Sequence, residues 1–267
     1  MKKKKGLYIF WIILVLAFMY LPILILALYS FTDSTMIGSI RNFSLSNYKT
    51  LFTTDELKSM ISGTLLLAIG SSLLATLLGT CGAIGAFYSK RFMKNFVHSM
   101  NQVPVVNADV VTGFSVCILF IIVLGVPKES YIPLVIGHTV LTAPFVYLNI
   151  LPKLKQMDNN LYEAALDLGA SPAQALFKVV IPQIIPGIFS GFMLAVTLSL
   201  DDYFITTYTK PATFDTISTY VVNATRGSHT EIKTALWALS TIIFLVVLVA
   251  VILMNLNSGR KEKEVRI

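Results

Sequence analysis

Apolar residues along the chain gather into six long runs, separated from one another by polar segments. The runs cover residues 7–31, 60–88, 96–126, 132–152, 183–208 and 232–256. A helix needs about 20 apolar residues to cross the hydrocarbon core of a bilayer, and each run reaches that length. No run shows the alternation of apolar and polar positions that marks a membrane β-strand. The pattern predicts an all-α membrane protein with six transmembrane helices, with residues 1–267 forming a single domain.

Composition agrees with this pattern and excludes a soluble globule. Of the 267 residues, 55% are hydrophobic and 13% are charged, and the mean hydropathy is +0.74. A soluble domain of this length cannot bury so many apolar side chains. The first run follows MKKKKG as in a signal peptide, but it is too long and lacks a clear A-x-A cleavage site, so we expect a retained helix. Both cysteines fall within predicted spans, which favours packing over a disulfide or a metal site.

The distribution of lysine and arginine predicts the orientation of the chain. Cytoplasmic loops keep an excess of positive charge, and with the N-terminus inside the two sides hold 14 and 7 of the 21 basic residues. The cytoplasmic set is Lys2 to Lys5, Lys90, Arg91, Lys94, Lys153, Lys155, Lys178, Arg260, Lys261, Lys263 and Arg266. Both termini are therefore expected in the cytoplasm. A basic rim against anionic lipid accounts for the net charge of +7 without a nucleic-acid partner.

Three carboxylates, Asp109, Asp201 and Asp202, lie inside predicted spans with no basic residue at their depth. An ionised carboxylate at the centre of a membrane helix costs about 2.5 to 3.5 kcal/mol, so such residues normally line a water-filled path or a site. A cationic cargo would supply the missing partner. Two structural explanations compete with this one. Asp202 lies near the outer end of its span, where a carboxylate costs little, and residues 199–202 have the S-x-x-D form of a helix cap.

The third run is longer than a single crossing needs, and polar residues interrupt it. It extends from Phe96 to Val126 and contains Pro104 and the segment Asn107-Ala108-Asp109. We expect a broken helix near mid-depth, where irregular backbone is tolerated only beside protein or water. Transporters place binding sites at such breaks, so Asp109 is a candidate for the cargo path.

The fourth run contains one histidine among polar neighbours. His138 lies beside Thr139 and close to Thr142. We expect these side chains to bond to neighbouring helices rather than to titrate.

The polar segment 153–182 predicts a helical hairpin on the cytoplasmic side. Residues 161–168 have helical periodicity, and Gly169 provides a left-handed stop. Ser171 and Pro172 are typical of the cap and first turn of a second short helix. A rigid protrusion of this kind is suited to being gripped by another protein.

Within this segment, EAALDLG followed nine residues later by VVIP resembles the EAA loop of permease subunits of ABC importers, E-A-A-x3-G-x9-I-x-L-P. Glu, both Ala, Gly and Pro match, and Val and Ile stand in for Ile and Leu. The resemblance implies a coupling helix that docks into a cleft of a cytoplasmic ATPase. It implies that the Glu makes a polar contact there, that the two Ala permit close approach and that the Gly makes the turn. The residues concerned are Glu163, Ala164, Ala165, Gly169, Ala170 and Pro182.

The resemblance extends over the whole chain to the second permease of spermidine/putrescine importers. It is carried by YLP and SF in the first run, NAD in the third and LSLDD in the fifth. Two positions depart from that pattern. NAD stands where Ser-Pro-Asp is expected, which moves the expected helix-breaking residue back to Pro104. Tyr203 and Phe204 follow the aspartate pair in place of small aliphatic residues.

The resemblance implies a type I ABC importer permease of MetI-like fold in the bacterial cytoplasmic membrane. Its partners would be a second permease subunit, an ATPase dimer that uses ATP and Mg, and an extracytoplasmic polyamine-binding protein. The chain itself would be no enzyme and would bind no cofactor or metal. The candidate residues of the cargo path are Asp109, Asp201, Asp202, Tyr203 and Ser199.

The adjacent aspartates are expected to play different parts. Asp201 and Asp202 lie about 100° apart on a helix, so one would face the path while the other braces a neighbouring helix. Tyr203 would offer a cation–π face to the cargo, although an aromatic residue near the interface is also typical of a membrane anchor.

Other classes of protein remain as alternatives. A permease for another cargo, such as ferric ion, would carry the same cytoplasmic loop. A secondary cation transporter would also hold intramembrane acids, but it should show inverted repeats and has no use for the EAA loop. A membrane enzyme would need a catalytic set at the interface, and none assembles in this sequence.

Overall fold

The protein is helical through most of the residues that the computed structural model describes, namely 2–33, 42–158, 160–226, 234–245 and 248–249. Two π-helical segments, Ile118–Val123 and Leu176–Val180, extend α5 and join α8 to α9. The α-helices are α1 Lys2–Ser30, α2 Ser46–Thr53, α3 Asp55–Tyr88, α4 Arg91–Val106, α5 Asp109–Cys117, α6 Ile132–Gln156, α7 Asn160–Asp167, α8 Pro172–Ala175, α9 Ile181–Asp201, α10 Phe204–Thr209, α11 Ile217–Arg226 and α12 Thr234–Leu245.

Four helices in the described part of the chain are long and apolar enough to cross a membrane. They are α1, α3, α6 and the continuous helix Pro172–Asp201 that α8 and α9 form together. α4 and α5 make a fifth candidate as a pair bent by 102°. α12 is a shorter apolar helix within the sixth predicted run, much of which lies outside the described residues. The prediction of six crossings therefore stays a prediction.

The third predicted span is broken, as its sequence indicates, but not at the expected residue. α4 ends at Val106, and Asn107 turns into extended backbone before α5 begins at Asp109. The prediction that Pro104 breaks the helix is wrong, because α4 continues beyond it. Proline removes one backbone donor without ending this last turn. The side chain of Asn107 instead bonds to the Thr112 hydroxyl at 3.0 Å, a local alternative to helical pairing.

The fifth predicted span, 183–208, is not continuous. α9 ends at Asp201, and the short helix α10 begins at Phe204. Asp202 has extended backbone between them, with ψ of 127°. The apolar run was long enough for a single crossing, but the chain changes direction where the two aspartates stand.

The chain forms two compact units, residues 60–220 and residues 1–59 with 221–267. In the first unit, α6 lies at the centre of the core. Its side chains Val146, Tyr147 and Ile150 are fully or almost fully buried. Alanines of α3 and α9 pack in the same cluster, and small residues allow apolar helices to approach closely.

In the second unit, α2 is anchored to the end of α1. The amide of Asn47 donates to the backbone carbonyls of Ser30 at 3.1 Å and Thr32 at 2.9 Å. The Ser30 hydroxyl lies 2.9 Å from that of Tyr48. Asn47 is buried, so its polar groups serve this anchor.

The predicted hairpin, residues 153–182, has the expected local structure at its turn. Gly169 follows α7 with a positive φ of 86°, and Ser171 forms a reciprocal capping box with Gln174. The prediction of a second short helix is wrong, because α8 continues through the π-helical segment into α9. Pro182 lies directly after this π-helical segment, as the second residue of α9.

Gly113 allows α5 to lie against α10, and its substitution tests that packing. A Cβ added there would lie 2.9 Å from the Cα of Ile205. We expect Gly113→Ala to lower the stability of the purified complex by about 1–3 kcal/mol, although alanine is the better helix former. Thermal unfolding measures the change.

Gly70→Ala is the matched control, because a Cβ at Gly70 meets open space. It should leave the unfolding temperature unchanged or raise it. Equal effects at the two positions would contradict the close contact between α5 and α10.

Candidate functional site

The two helix breaks meet in the unit formed by residues 60–220. α5 starts at the first break and α10 follows the second, and these two helices pack against each other and against α6. Asp109 begins α5 and Asp202 directly precedes the start of α10, so the packing of these two helices places both acidic residues in one region. The structure therefore brings together acidic residues that are far apart in the sequence.

Asp202 is buried and caps α10. Its side chain accepts the backbone N–H groups of Ile205 at 3.3 Å and Thr206 at 2.8 Å. The Thr206 hydroxyl lies 2.8 Å from Asp202 Oδ2 and donates to it. A negative charge at this position satisfies free N–H groups and faces the positive end of the helix dipole. The hydrogen-bond acceptors of this carboxylate are therefore used by donors of the protein itself.

His138, on α6, links the helices on the two sides of the second break. Its ring has no exposed surface, and its Nδ1 lies 2.7 Å from Ser199 Oγ on α9. Its Nε2 lies 2.9 Å from Thr206 Oγ1 on α10 and 3.7 Å from Asp202 Oδ2. Ser199 Oγ also lies 3.2 Å from Ser71 Oγ on α3. The expectation of bonds to neighbouring helices is confirmed for His138, whereas the hydroxyls of Thr139 and Thr142 donate to backbone carbonyls of α6 itself.

Ser199 does not act as the cap that the S-x-x-D form indicates. It remains inside α9, is 2% exposed and directs its hydroxyl to His138 and Ser71. Asp202 provides the cap instead, since the helix continues through Ser199 and breaks only after Asp201.

Asp201 and Asp109 are exposed, in contrast to Asp202. Asp201 is the last residue of α9, and Asp109 is the first residue of α5. Tyr203 is half-buried and packs edge-on against Phe204, with 5.3 Å between ring centroids. Adjacent carboxylates at the second break thus lie in different environments, one within a hydrogen-bond network and one accessible. Within the described ranges, no group of three or more His, Cys, Asp or Glu could hold a metal ion.

Two sets of polar residues near the breaks were not predicted from the sequence. Ser71 and Thr206 belong to the His138 network, and the four-residue spacing from Asp202 to Thr206 was its available signal. The second set, Asn95, Ser99 and Gln102, follows one exposed face of α4 towards the first break. Residues spaced by four and then three positions lie on one face of a helix. The hydropathy averaged over the whole third run is high, so it does not reveal this polar face.

Helix α7 has one face packed against the core and one exposed face. Tyr162 packs against the core, and its ring lies 5.0 Å from that of Tyr88. Glu163 and Ala164 are exposed, and the side chain of Leu168 is 89% exposed. An anchored helix that presents apolar surface outside the membrane spans is typical of a protein-binding site. Ala165 and Ala170 are half-buried, and Pro182 is exposed.

Apolar helices broken beside carboxylates are typical of membrane transport proteins. The family of binding-protein-dependent transport system inner membrane components matches residues 79–263. The chain belongs to this family.

Relatives in Escherichia coli strain K12 cover most of the chain. The putrescine transport system permease protein PotI is 32% identical over 232 residues, which are 85% of this chain and 81% of PotI. The spermidine/putrescine transport system permease protein PotC is 31% identical over 249 residues, 92% of each chain.

Two solved structures of bacterial alginate ABC transporters have the same fold. One chain has a TM-score of 0.71 at 15% identity and covers 95% of this chain and 98% of its own length. The other, from a complex with an alginate pentasaccharide-bound periplasmic protein, has a TM-score of 0.69 at 19% identity and covers 93% of each chain. The helices described above therefore have the arrangement of ABC transporter chains.

Proposed function

We propose that this chain is a permease subunit of an ATP-driven importer that moves polyamines, spermidine or putrescine, across the bacterial cytoplasmic membrane. Family membership supports transport, and the putrescine and spermidine/putrescine transport systems to which PotI and PotC belong support the cargo. The observation that carries the proposal is the meeting of two helix breaks with Asp109 and Asp201 exposed beside them.

Carboxylates at helix breaks suit a flexible cargo with several ammonium groups. At an effective dielectric constant of about 20, one carboxylate and one ammonium 4 Å apart attract each other by roughly 4 kcal/mol. Desolvation of the two charges offsets much of this energy, so each contact holds the cargo without trapping it. Successive acids along a path allow the ammonium groups to be passed inward.

The candidate residues of the cargo path fall into two groups, those that contact the cargo and those that hold the contacting residues in position. Asp109 and Asp201 contact the cargo, because both are exposed at the breaks. Tyr203 contributes a ring face beside them. Asp202 and Ser199 belong to the path as its supports, since both are buried in the hydrogen-bond network.

The topology follows from the sequence prediction together with the family. The six predicted runs cross the membrane as one permease domain, with both termini in the cytoplasm. α12 is the described part of the last crossing. A second permease subunit completes the path, and an extracytoplasmic polyamine-binding protein delivers the cargo to it.

The exposed face of α7 docks into a cytoplasmic ATPase dimer, which binds ATP and Mg and performs the hydrolysis. Glu163 makes a polar contact there, and the small side chain of Ala164 permits close approach. Gly169, with φ of 86°, sets the direction of the loop towards Ala170 and Pro182. The chain itself contributes transport and coupling, and no catalysis.

Removing either exposed carboxylate should reduce cargo uptake without stopping ATP hydrolysis. We expect Asp109→Asn and Asp201→Asn each to lower ATP-driven spermidine uptake at least about tenfold, because each loses one ammonium contact. The measurement uses labelled spermidine and liposomes that hold the full complex, with ATP hydrolysis recorded in parallel.

Asp55→Asn is the matched control, since it removes an exposed carboxylate whose partner is Lys58 at the start of α3. Normal uptake in both path variants would refute the assignment of these acids. A wild-type complex that ignores spermidine and putrescine would refute the cargo and leave the importer class intact.

Ala164 tests the docking of α7. We expect Ala164→Trp to lower cargo-stimulated ATP hydrolysis at least about tenfold, because an indole on the exposed face prevents close approach. Ala164→Ser adds only a hydroxyl and should retain coupling. Copurification of the ATPase with each variant measures docking directly. Full coupling in Ala164→Trp would show that the ATPase binds elsewhere.

A further inference from the structure

The hydrogen-bond network around His138 joins four helices at the second break. It runs from Ser71 on α3 through Ser199 on α9 to His138 on α6, and then through Thr206 on α10 to Asp202. All five residues are less than 9% exposed. The network is buried beside the break, and Ser71, His138 and Thr206 are not among the proposed cargo contacts.

The protons in this network can be assigned in order, because each hydroxyl has one to donate. With Asp202 ionised, its Oδ2 accepts the proton of the Thr206 hydroxyl. The Thr206 oxygen then accepts from His138, which places the imidazole proton on Nε2. A neutral imidazole leaves Nδ1 bare, so that atom accepts from the Ser199 hydroxyl. Ser71 donates its own proton to the backbone carbonyl of Leu67 at 2.8 Å, so beside Ser199 it offers only its oxygen, at the longer distance of 3.2 Å.

We propose that His138 is a positioning residue of the cargo path, which as the neutral imidazole protonated at Nε2 holds Thr206 and Asp202 in place and leaves Asp201 as the carboxylate offered to cargo. This inference rests on the proposed function. The donors of Ser199, His138 and Thr206 all point towards Asp202, and bonds aligned in this way strengthen one another. The negative charge of Asp202 is thereby satisfied by the protein alone.

Loss of the hydrogen bond from His138 changes the groups that surround the cargo at the second break. Without a donor at the Nε2 position, the Thr206 oxygen loses its incoming hydrogen bond, and its hydroxyl can turn to the backbone carbonyl of Asp202, 3.3 Å away. The Asp202 carboxylate then keeps only its backbone contacts. Asp202 can then turn towards an ammonium group beside Asp201, and two carboxylates bind that group more tightly than one. Alternatively, α10 moves and carries the break with it. Both changes slow the passage of cargo.

The state of the imidazole gives a readout that does not depend on cargo. Nitrogen-15 NMR of the histidine-labelled complex in lipid distinguishes the protonation of the two ring nitrogens. The chain contains three histidines, and comparison with His138→Gln identifies the relevant signals. We expect a proton on Nε2 and a bare Nδ1 at His138. A proton on Nδ1, with or without one on Nε2, would overturn the assignment.

Two substitutions at His138 separate positioning from simple filling of space. The amide of glutamine reaches the Nε2 position and can donate to Thr206, whereas that of asparagine reaches only the Nδ1 position beside Ser199. We expect His138→Gln to retain spermidine uptake within about threefold and His138→Asn to lose at least about tenfold, with assembly and ATP hydrolysis preserved. Equal uptake in the two variants would overturn the proposal.

Thr206 provides an independent pair of variants. Thr206→Ser keeps the hydroxyl and should retain uptake, whereas Thr206→Val removes it and should lose at least about tenfold. Thr207→Val is the matched control, because the Thr207 hydroxyl is exposed and bonds to the carbonyl of Tyr203. If Thr206→Val transports normally, the proposal fails. If the wild-type complex moves no polyamine, the proposed function fails. The position of the imidazole proton, measured by NMR, still tests the direction of the hydrogen bonds around His138.

Discussion

The arrangement of this protein depends on satisfying backbone groups where apolar helices are interrupted. A helix that begins inside a bilayer has free N–H groups, and lipid offers them no partner. At the second break, Asp202 accepts two of these groups from α10, and His138 with Thr206 fixes the carboxylate. At the first break, Asp109 stands at the start of α5. The breaks therefore explain the positions of these acidic residues, and whether each carboxylate is exposed depends on the hydrogen bonds that it makes.

The same constraint separates two neighbouring aspartates. Asp202 is drawn inward by the N–H groups that it caps, while Asp201 ends α9 and remains exposed. An ionised group in the interior needs partners, and Asp202 has them from its own chain. Asp201 carries the same carboxylate group but is exposed, so it is accessible to a ligand. The capping explanation and the cargo explanation for this pair are therefore compatible, because they apply to different residues.

Local signals predicted much of the fold. A break in the third run, the left-handed Gly169 and the Ser171 cap all follow from residues close in sequence. The structure has each of them, although the break lies at Asn107 and not at Pro104. The sequence did not predict the position of the break after Asp201. This break depends on the Asp202 carboxylate, which accepts the backbone N–H groups of Ile205 and Thr206 inside an apolar run. Partners such as Ser71 and His138 come from distant helices, so their contacts depend on packing that no local pattern encodes.

Accessibility at the second break tests the central claim, which is that the break is open to cargo at Asp201 and sealed at Ser199. Each position is replaced by cysteine in a full complex whose Cys81 and Cys117 have been changed to serine, and a small water-soluble cationic thiol reagent is applied with and without spermidine. We expect Cys substituted for Asp201 to react, with spermidine slowing the reaction, and Cys substituted for Ser199 to stay unmodified. Equal reaction at both positions, or no protection by spermidine at the first, would contradict the account.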